Sequence, residues 1–462
     1  MLTRLEVHGF KNLVDVQVEF GAFTCIAGAN GVGKSNVFDA IEFLSHLASE
    51  PLADAARRVR GPSGERGGDP RDLFWDGYRD HGRAMRFAVE MLVPSDVLDD
   101  LGESAAATWT FLRYELELGY LRPSAGGRGE LLLTKEDLLR ADHVDRLGLW
   151  SAEQFMNSVL HGRPSRDPLL STHHVDESNL AYSKADVGSR GRFPRAAVRT
   201  ARTVLSSISS GDEPTLLAAR REMQSWRRLA LEPSALRAPD SFSEPRELGV
   251  DGRHLAATLH RIANDGDPDA AYARIADRLS DLAGVDVDEI GVDPDEAREV
   301  FTLFLTERSG LRLPARALSE GTLRFLALCV LLEDPTVTGL LCMEEPENGI
   351  HPANLPAMVN LVRELAVDTS RPPGDDNPFR QVIVNTHSPT VVQLCGPDEL
   401  LFAERIRQQA PDGTATTGLA LTPFQGTRRA WPGEAAATLA DLVPYLAAPP
   451  DAHLQLPTDL TL

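Results

Sequence analysis

Cysteine is scarce in this chain: four occur in 462 residues. Cys25, Cys329, Cys342 and Cys395 stand far apart, and the first three sit in apolar runs, so they read as reduced core thiols rather than a disulfide framework. Basic charge is also short, with 47 Lys+Arg against 68 Asp+Glu. That balance excludes a generally basic nucleic-acid binder, while 42% hydrophobic content excludes a disordered chain. The opening MLTRLEVHGF has no signal-peptide centre, and no stretch approaches 18 apolar residues. A cytoplasmic protein with no membrane segment is expected. Sustained heptads and internal repeats are missing too, which excludes a long coiled arm and a solenoid.

What is present begins with alternation. Leu5 and Val7 precede the break at Gly9 to Asn12, and Val16, Val18 and Phe20 follow it, which predicts two half-buried strands. FTCIA, Phe23 to Ala27, is continuous and apolar, as in a strand covered on both faces. GANGVGKSN comes next, then Val37, Ile41, Leu44 and Leu47 at helical spacing. The order is strand, glycine loop, helix. Residues 50 to 83 read as a surface excursion, and MRFAVEMLV and FLRYELELGYL as strands. From about 121 to 245 the pattern is obscure, with AVRTARTVLSSI predicted as helix. Later, ALSEGTLRFLALCVLLEDP reads as a turn entering an apolar helix. GLLCM reads as a buried strand, Pro352 as the first turn of a helix, and QVIVNTHSP as a further strand, together a parallel crossover unit.

The glycine loop carries the clearest chemistry. Gly28 to Ser35 match G-x-x-x-x-G-K-S, whose small residues let backbone N–H groups surround phosphate oxygens at a helix N-terminus. Lys34 then meets the β and γ phosphates, and Ser35 offers its hydroxyl to Mg²⁺. Glu344 and Glu345 end an apolar strand with two like charges. At the carboxyl edge of a parallel sheet, one such acid holds Mg²⁺ and the other orients or deprotonates the attacking water. His387 closes the next apolar strand, where an imidazole reaches the γ-phosphate or that water. Ser319 or Thr322 caps the helix that follows Leu318, and a helix start with Ser and Gly is itself an anion site.

These elements, in this order, resemble ABC-type ATPases of the RecF/SMC-like group, and most of all the stand-alone OLD-related AAA-family ATPases of bacterial anti-phage defence. The resemblance rests on GANGVGKSN, LSEGT, LLCMEEPENGIHP and VIVNTHSP, with support from VHGFKNLVDVQVEF and ELGVDGRHLAATLHRI, and covers roughly 1 to 95 and 245 to 400. It implies two heads bound head to tail, each ATP lying between one phosphate loop and the other head's signature turn. Carried over, it assigns Gly28, Asn30, Gly31, Gly33, Lys34, Ser35 and Asn36 to nucleotide, and Ser319, Glu320 and Gly321 to nucleotide across the interface. Ser35 and Glu344 are its metal residues, Glu344 standing where most relatives have Asp. Glu345 matches the catalytic carboxylate, His387 the switch histidine, and Asn348 and Gly349 the interface loop. The segment after Ser388 has no D-x-D pair, so nuclease activity of the Toprim kind is not expected. Asp286-Val-Asp288 and Asp293-Pro-Asp295 read as solvated turns.

The expected fold is therefore α/β: an ABC-ATPase head with a mostly parallel sheet flanked by helices, an N-terminal antiparallel β subdomain and a mainly helical insertion. The expected division is 1–120 for the N-terminal part of the head, 121–245 for the insertion, 246–400 for the C-terminal part, and 401–462 for an extension. The expected function is a Mg²⁺-dependent ATPase switch that dimerises on ATP and regulates a separate effector or engages DNA. Nine arginines between Arg190 and Arg228 (190, 192, 195, 199, 202, 220, 221, 227, 228) face three acids and mark where DNA or an acidic partner would dock. Few aromatics accompany them, and solvated helices explain them equally well. A RecF-like DNA-repair ATPase is the alternative. A transporter's nucleotide-binding subunit fits less well, because such subunits carry LSGGQ-like signatures.

Overall fold

The computed structural model describes residues 1–441 apart from 62–65, 77–83, 122–128, 151–152, 163–167, 175–178, 185–194, 199, 285, 410–412, 414, 432 and 439. Two large sheets organise it. One has six strands, in the order Arg227–Leu229, Gly339–Glu344, Arg380–Thr386, Phe23–Ala27, Leu400–Gln409 and Ala415–Pro423. The first five run parallel, and the last returns antiparallel. Phe23–Ala27, Gly339–Glu344 and Arg380–Thr386 are buried almost throughout, as strands covered on both faces must be.

Alternate residues of these strands supply two separate cores. Ile26, Leu340, Cys342 and Ile383 pack with the helix Lys34–Leu47 and the antiparallel sheet. Cys25, Leu341, Met343, Val382 and Val384 face the helices Leu255–Asn264, Pro268–Ala283, Glu320–Glu333 and Leu355–Glu364. The period of two along each strand is what lets one sheet serve both layers. The free thiols Cys25, Cys329 and Cys342 are buried, and Cys395 is partly so.

The second sheet corrects two expectations. It has eight strands, and every pairing in it is antiparallel: Arg195–Val198, Asn179–Lys184, Leu170–His174, Glu130–Arg140, Phe111–Leu121, Ala84–Leu92, Leu2–Phe10 and Leu13–Glu19. The parallel sheet is thus the smaller of the two. Residues 121–245 are not mainly helical either, since four of these strands lie there beside the helix Pro214–Gln224. AVRTARTVLSSI, residues 197–208 and predicted as helix, holds the last two residues of the strand Arg195–Val198 and a 3₁₀ turn at Leu205–Ser207. Val198 is β-branched and suits the extended backbone that pairs with Asn179.

The acidic pairs upstream of the signature are not turns. Asp288, Asp293 and Asp295 belong to the strand Val287–Asp295, where Asp293 pairs with Arg312 at 2.7 Å. Among the described residues no helix is long and apolar enough to cross a membrane.

Candidate functional site

The phosphate-loop strand Phe23–Ala27 delivers Gly28 to the sheet's carboxyl edge, where the Gly28 N–H donates to the Thr386 carbonyl at 3.3 Å. A side chain at Gly28 would press its Cβ to 2.4 Å from the Ala403 carbonyl oxygen. Gly33 has φ 106°, and a Cβ there would stand 1.9 Å from the Asn12 amide nitrogen. Both glycines are therefore required by space, and Gly33 by conformation as well. Asn12 donates to the Val32 carbonyl at 2.9 Å and accepts from the Asn36 amide at 2.7 Å, so the N-terminal hairpin braces the loop. Asn30 and Gly31 are exposed at its tip, the Gly31 carbonyl accepting from Arg405 at 2.6 Å.

Nothing in this loop already occupies an anion's place. The helix Lys34–Leu47 starts from Gly33 with no side-chain cap and no acid in its first turn, so its leading N–H groups and dipole face outward. The Lys34 ammonium folds back onto the carbonyls of Gly28 at 2.6 Å and Ala29 at 2.9 Å. Burial lowers its pKa, opposed by Glu345, Glu347 and Glu344 in that order. These features suit a nucleotide's phosphates.

Glu344 ends its strand in register with Asn385, close to the Ser35 side chain. Arg228 pairs with Glu344 at 2.8 Å and Arg60 at 3.3 Å. Burial pushes the Glu344 carboxyl upward, but Arg228, Ser35 and Arg60 outweigh it and hold the group below its ordinary range. The same two arginines reach the buried Asp39 at 2.9 Å each, and Lys11 meets it at 2.6 Å. A cleft of about 480 Å³ lies alongside, lined in part by Ser35, Asn36, Asp39 and Arg60. A nearby hydroxyl and carboxylate are hard oxygen donors of the kind that suits Mg²⁺.

Glu345 stands one residue past the strand with φ 45°, a left-handed conformation that costs a non-glycine residue on the order of 1 kcal/mol. The turn is held by its neighbours. The Glu345 N–H donates to the Asn385 backbone carbonyl at 3.0 Å and to its side-chain oxygen at 3.2 Å. In consequence the carboxylate turns toward the next strand end. Its Oε1 lies 2.7 Å from His387 Nδ1, and its Oε2 accepts from Asn348 Nδ2 at 2.8 Å. Thus the structure brings Gly28 to Asn36, Glu344, Glu345 and His387 to one rim, because the histidine strand pairs in register with both the acid strand and the phosphate-loop strand.

The signature turn stands apart from that rim. Ser319 caps the helix Glu320–Glu333, accepting from the Thr322 N–H at 3.1 Å. Gly321 packs against the Gly349 carbonyl, and Arg324 donates to the Asn348 carbonyl, so signature and interface loop form one surface. Ser319 and Glu320 are exposed. Among the described residues no hydrogen bond or ion pair joins Ser319, Glu320 or Gly321 to the phosphate loop of the same chain.

The arginine-rich segment differs from its expected use as a free basic surface. Arg220 and Arg221 both pair with Asp100, Arg202 donates to the Ser49 carbonyl, and Arg228 is turned into the acid cluster. Arg190, Arg192 and Arg199 lie outside the described residues. Sequence reasoning missed Asn12, Asp39, Arg60, Asn385 and Arg228 as site residues. Only the apolar strand preceding Asn385 offered a signal, since the other partners meet through long-range packing.

A family model over more than half of the chain places it among AAA-domain proteins. The chain belongs to the family described as "AAA domain, putative AbiEii toxin, Type IV TA system", whose model matches residues 23–85 and 178–393 and so takes in Gly28 to Asn36, Ser319 to Gly321, Glu344, Glu345 and His387, though not Asn12. A segment is 36% identical over 61 residues to the DNA replication and repair protein RecF of Bacteroides thetaiotaomicron, covering 13% of this chain and 16% of that protein. The RecF of Bacteroides fragilis is 42% identical over 50 residues, 11% of this chain and 14% of that one. The matches therefore span about a sixth or less of those relatives. Among solved structures, an SMC head bound to the C-winged helix domain of ScpA aligns over 90% of this chain and 97% of its own, with 14% identity and a TM-score of 0.44. The SMC head of Thermotoga maritima aligns over 92% and 99%, with 14% identity and a TM-score of 0.35.

Proposed function

We propose that the chain is a Mg²⁺-dependent ATP-binding and ATP-hydrolysing switch whose heads pair head to tail on ATP. The observation that carries this reading is the 2.7 Å contact between Glu345 and His387 at the ends of neighbouring parallel strands, beside the phosphate loop. Lys34 leaves the Gly28 and Ala29 carbonyls to meet the β and γ phosphates, while the loop's N–H groups hold their oxygens. Ser35 and Glu344 hold Mg²⁺, which when bound neutralises charge on the phosphates. Glu345 orients the attacking water and takes its proton. His387 fixes that carboxylate through Nδ1, leaving Nε2 to face the γ-phosphate or the water. Ser319 and Glu320, both exposed, and the half-buried Gly321, none of them bonded to their own phosphate loop, serve the nucleotide of a facing head. Loss of the γ-phosphate weakens both halves of such an interface together.

The switch regulates a separate effector in anti-phage defence; the family's description, a putative toxin of a Type IV TA system, supports membership of a multi-component system and does not name the effector. The RecF segments favour a second reading, a RecF-like DNA-repair ATPase. DNA-stimulated hydrolysis supports the second, and stimulation by a neighbouring gene product supports the first.

Phosphate release from ATP with and without Mg²⁺ tests the core of the proposal. Wild-type protein should turn over, and Lys34→Ala should lose nucleotide binding by roughly 100-fold or more. A wild-type chain that binds no ATP, or a Lys34→Ala variant that hydrolyses normally, overturns it.

A further inference from the structure

A third carboxylate lies in the same turn as the acid pair. Glu347 is 8% exposed, and Thr386, fully buried at the end of the histidine strand, donates its hydroxyl to Glu347 Oε1. The Thr386 Oγ1 also accepts the Ser388 N–H at 2.9 Å, and Ser388 in turn caps the helix Pro389–Leu394. His387 is thus bracketed: the residues before and after it are tied together, and the tie is anchored on Glu347. Beyond the Glu345 N–H bonds to Asn385, the two strand ends are joined by Glu345 to His387 and by Glu347 to Thr386. The imidazole so bracketed meets the Glu345 carboxylate at 2.7 Å while itself 39% exposed.

Packing alone does not explain the choice of an acid here. Glu347 Oε2 is buried without a protein hydrogen-bond partner, an arrangement that costs about 1–3 kcal/mol and would be absent with a neutral apolar side chain. The Lys34 ammonium feels the Glu347 charge second only to that of Glu345 among the opposing charges. Thr386 also pairs in register with Ala27, immediately before the phosphate loop. The unpartnered oxygen therefore belongs to the same electrostatic site as Lys34.

We propose that Glu347 is a positioning residue for hydrolysis, acting through Thr386 to hold His387 against Glu345. This rests on the reading of Glu345 and His387 given above. It predicts that Glu347 governs turnover rather than nucleotide affinity.

Steady-state ATP hydrolysis by the full chain tests this with Glu347→Ala, Thr386→Val and the double variant. The expected result is a fall in kcat of at least about tenfold in each single variant, with KM for ATP within about threefold of wild type. The double variant should fall no further than the worse single variant, since both remove one clamp. Thr386→Ser, which keeps the hydroxyl, should restore most of the rate. Normal kcat in Thr386→Val, or additive losses in the double variant, overturns the proposal, and Thr386→Val serves this purpose even if Glu347→Ala fails to fold. Absence of hydrolysis by wild type would overturn the ATPase reading itself, a result distinct from an unaffected clamp variant in an active protein.

Discussion

Arg228, on the edge strand of the parallel sheet, and Glu344, at the end of the neighbouring strand, are joined by a 2.8 Å ion pair. Arg228 is only 11% exposed and also reaches Asp39 and Glu42, so one guanidinium serves three carboxylates. The pair links the sheet edge to the candidate metal position.

Replacing that guanidinium should have two separable effects. Arg228→Met should destabilise the fold by about 1–3 kcal/mol, measured by urea unfolding, because buried Asp39 loses one of its three cations. It should also lower the Mg²⁺ concentration for half-maximal hydrolysis several-fold, because Glu344 keeps its charge and loses a competing cation. An unchanged Mg²⁺ requirement would separate Glu344 from the metal.

Glu345→Gln should leave ATP affinity within a few-fold of wild type and reduce phosphate release by about 100-fold or more. The amide retains the shape of the carboxylate beside His387 but takes no proton. Size-exclusion chromatography should show the variant shifting to a dimer with ATP and not with ADP. Normal turnover would remove Glu345 from its assigned role.

Gly33→Ala should abolish nucleotide binding while leaving most of the fold intact. The new Cβ must displace the Asn12 amide and adopt φ 106°, so the loop loses both its brace and its curvature. Calorimetric titration with ATP checks the first half, and far-UV circular dichroism the second.

A pH effect on stability is expected far from the nucleotide. Glu136 is fully buried, accepting N–H groups from Val204 at 2.6 Å and Leu205 at 2.8 Å and the Tyr114 hydroxyl at 3.0 Å. Burial dominates, and its carboxyl is pushed up to about 7 from 4.5. The folded chain then holds a proton that the unfolded chain releases. Stability from this group is complete below about pH 4.5 and is lost as pH rises through about 7, by at most roughly 3 kcal/mol. Unfolding titrations between pH 5 and 8 should show that decline, and Glu136→Gln should flatten it.

Much of the site was legible in the chain because its chemistry is local. Gly28 to Ser35 form one turn between a strand and a helix, and the backbone of that turn is itself the proposed phosphate cradle. Glu344 ends a strand that is otherwise apolar, and His387 follows a strand with the apolar centre Val382 to Val384, so their place at a sheet edge followed from pattern alone. The antiparallel sheet was misjudged where strands such as Leu170–His174 and Arg195–Val198 are short and unpatterned, and owe their conformation to the neighbour they pair with.

The sequence by itself determined the glycine loop between strand and helix, the apolar runs that carry the acids and histidine outward, and a helix start at Ser319 to Thr322, since each depends on residues within a few positions. Tertiary structure alone decided that Glu345 meets His387, that Glu347 clamps Thr386, and that Arg228 turns inward to Asp39 and Glu344. Strand order and register set those contacts, and both arise from the packing of residues hundreds of positions apart, which no local pattern encodes.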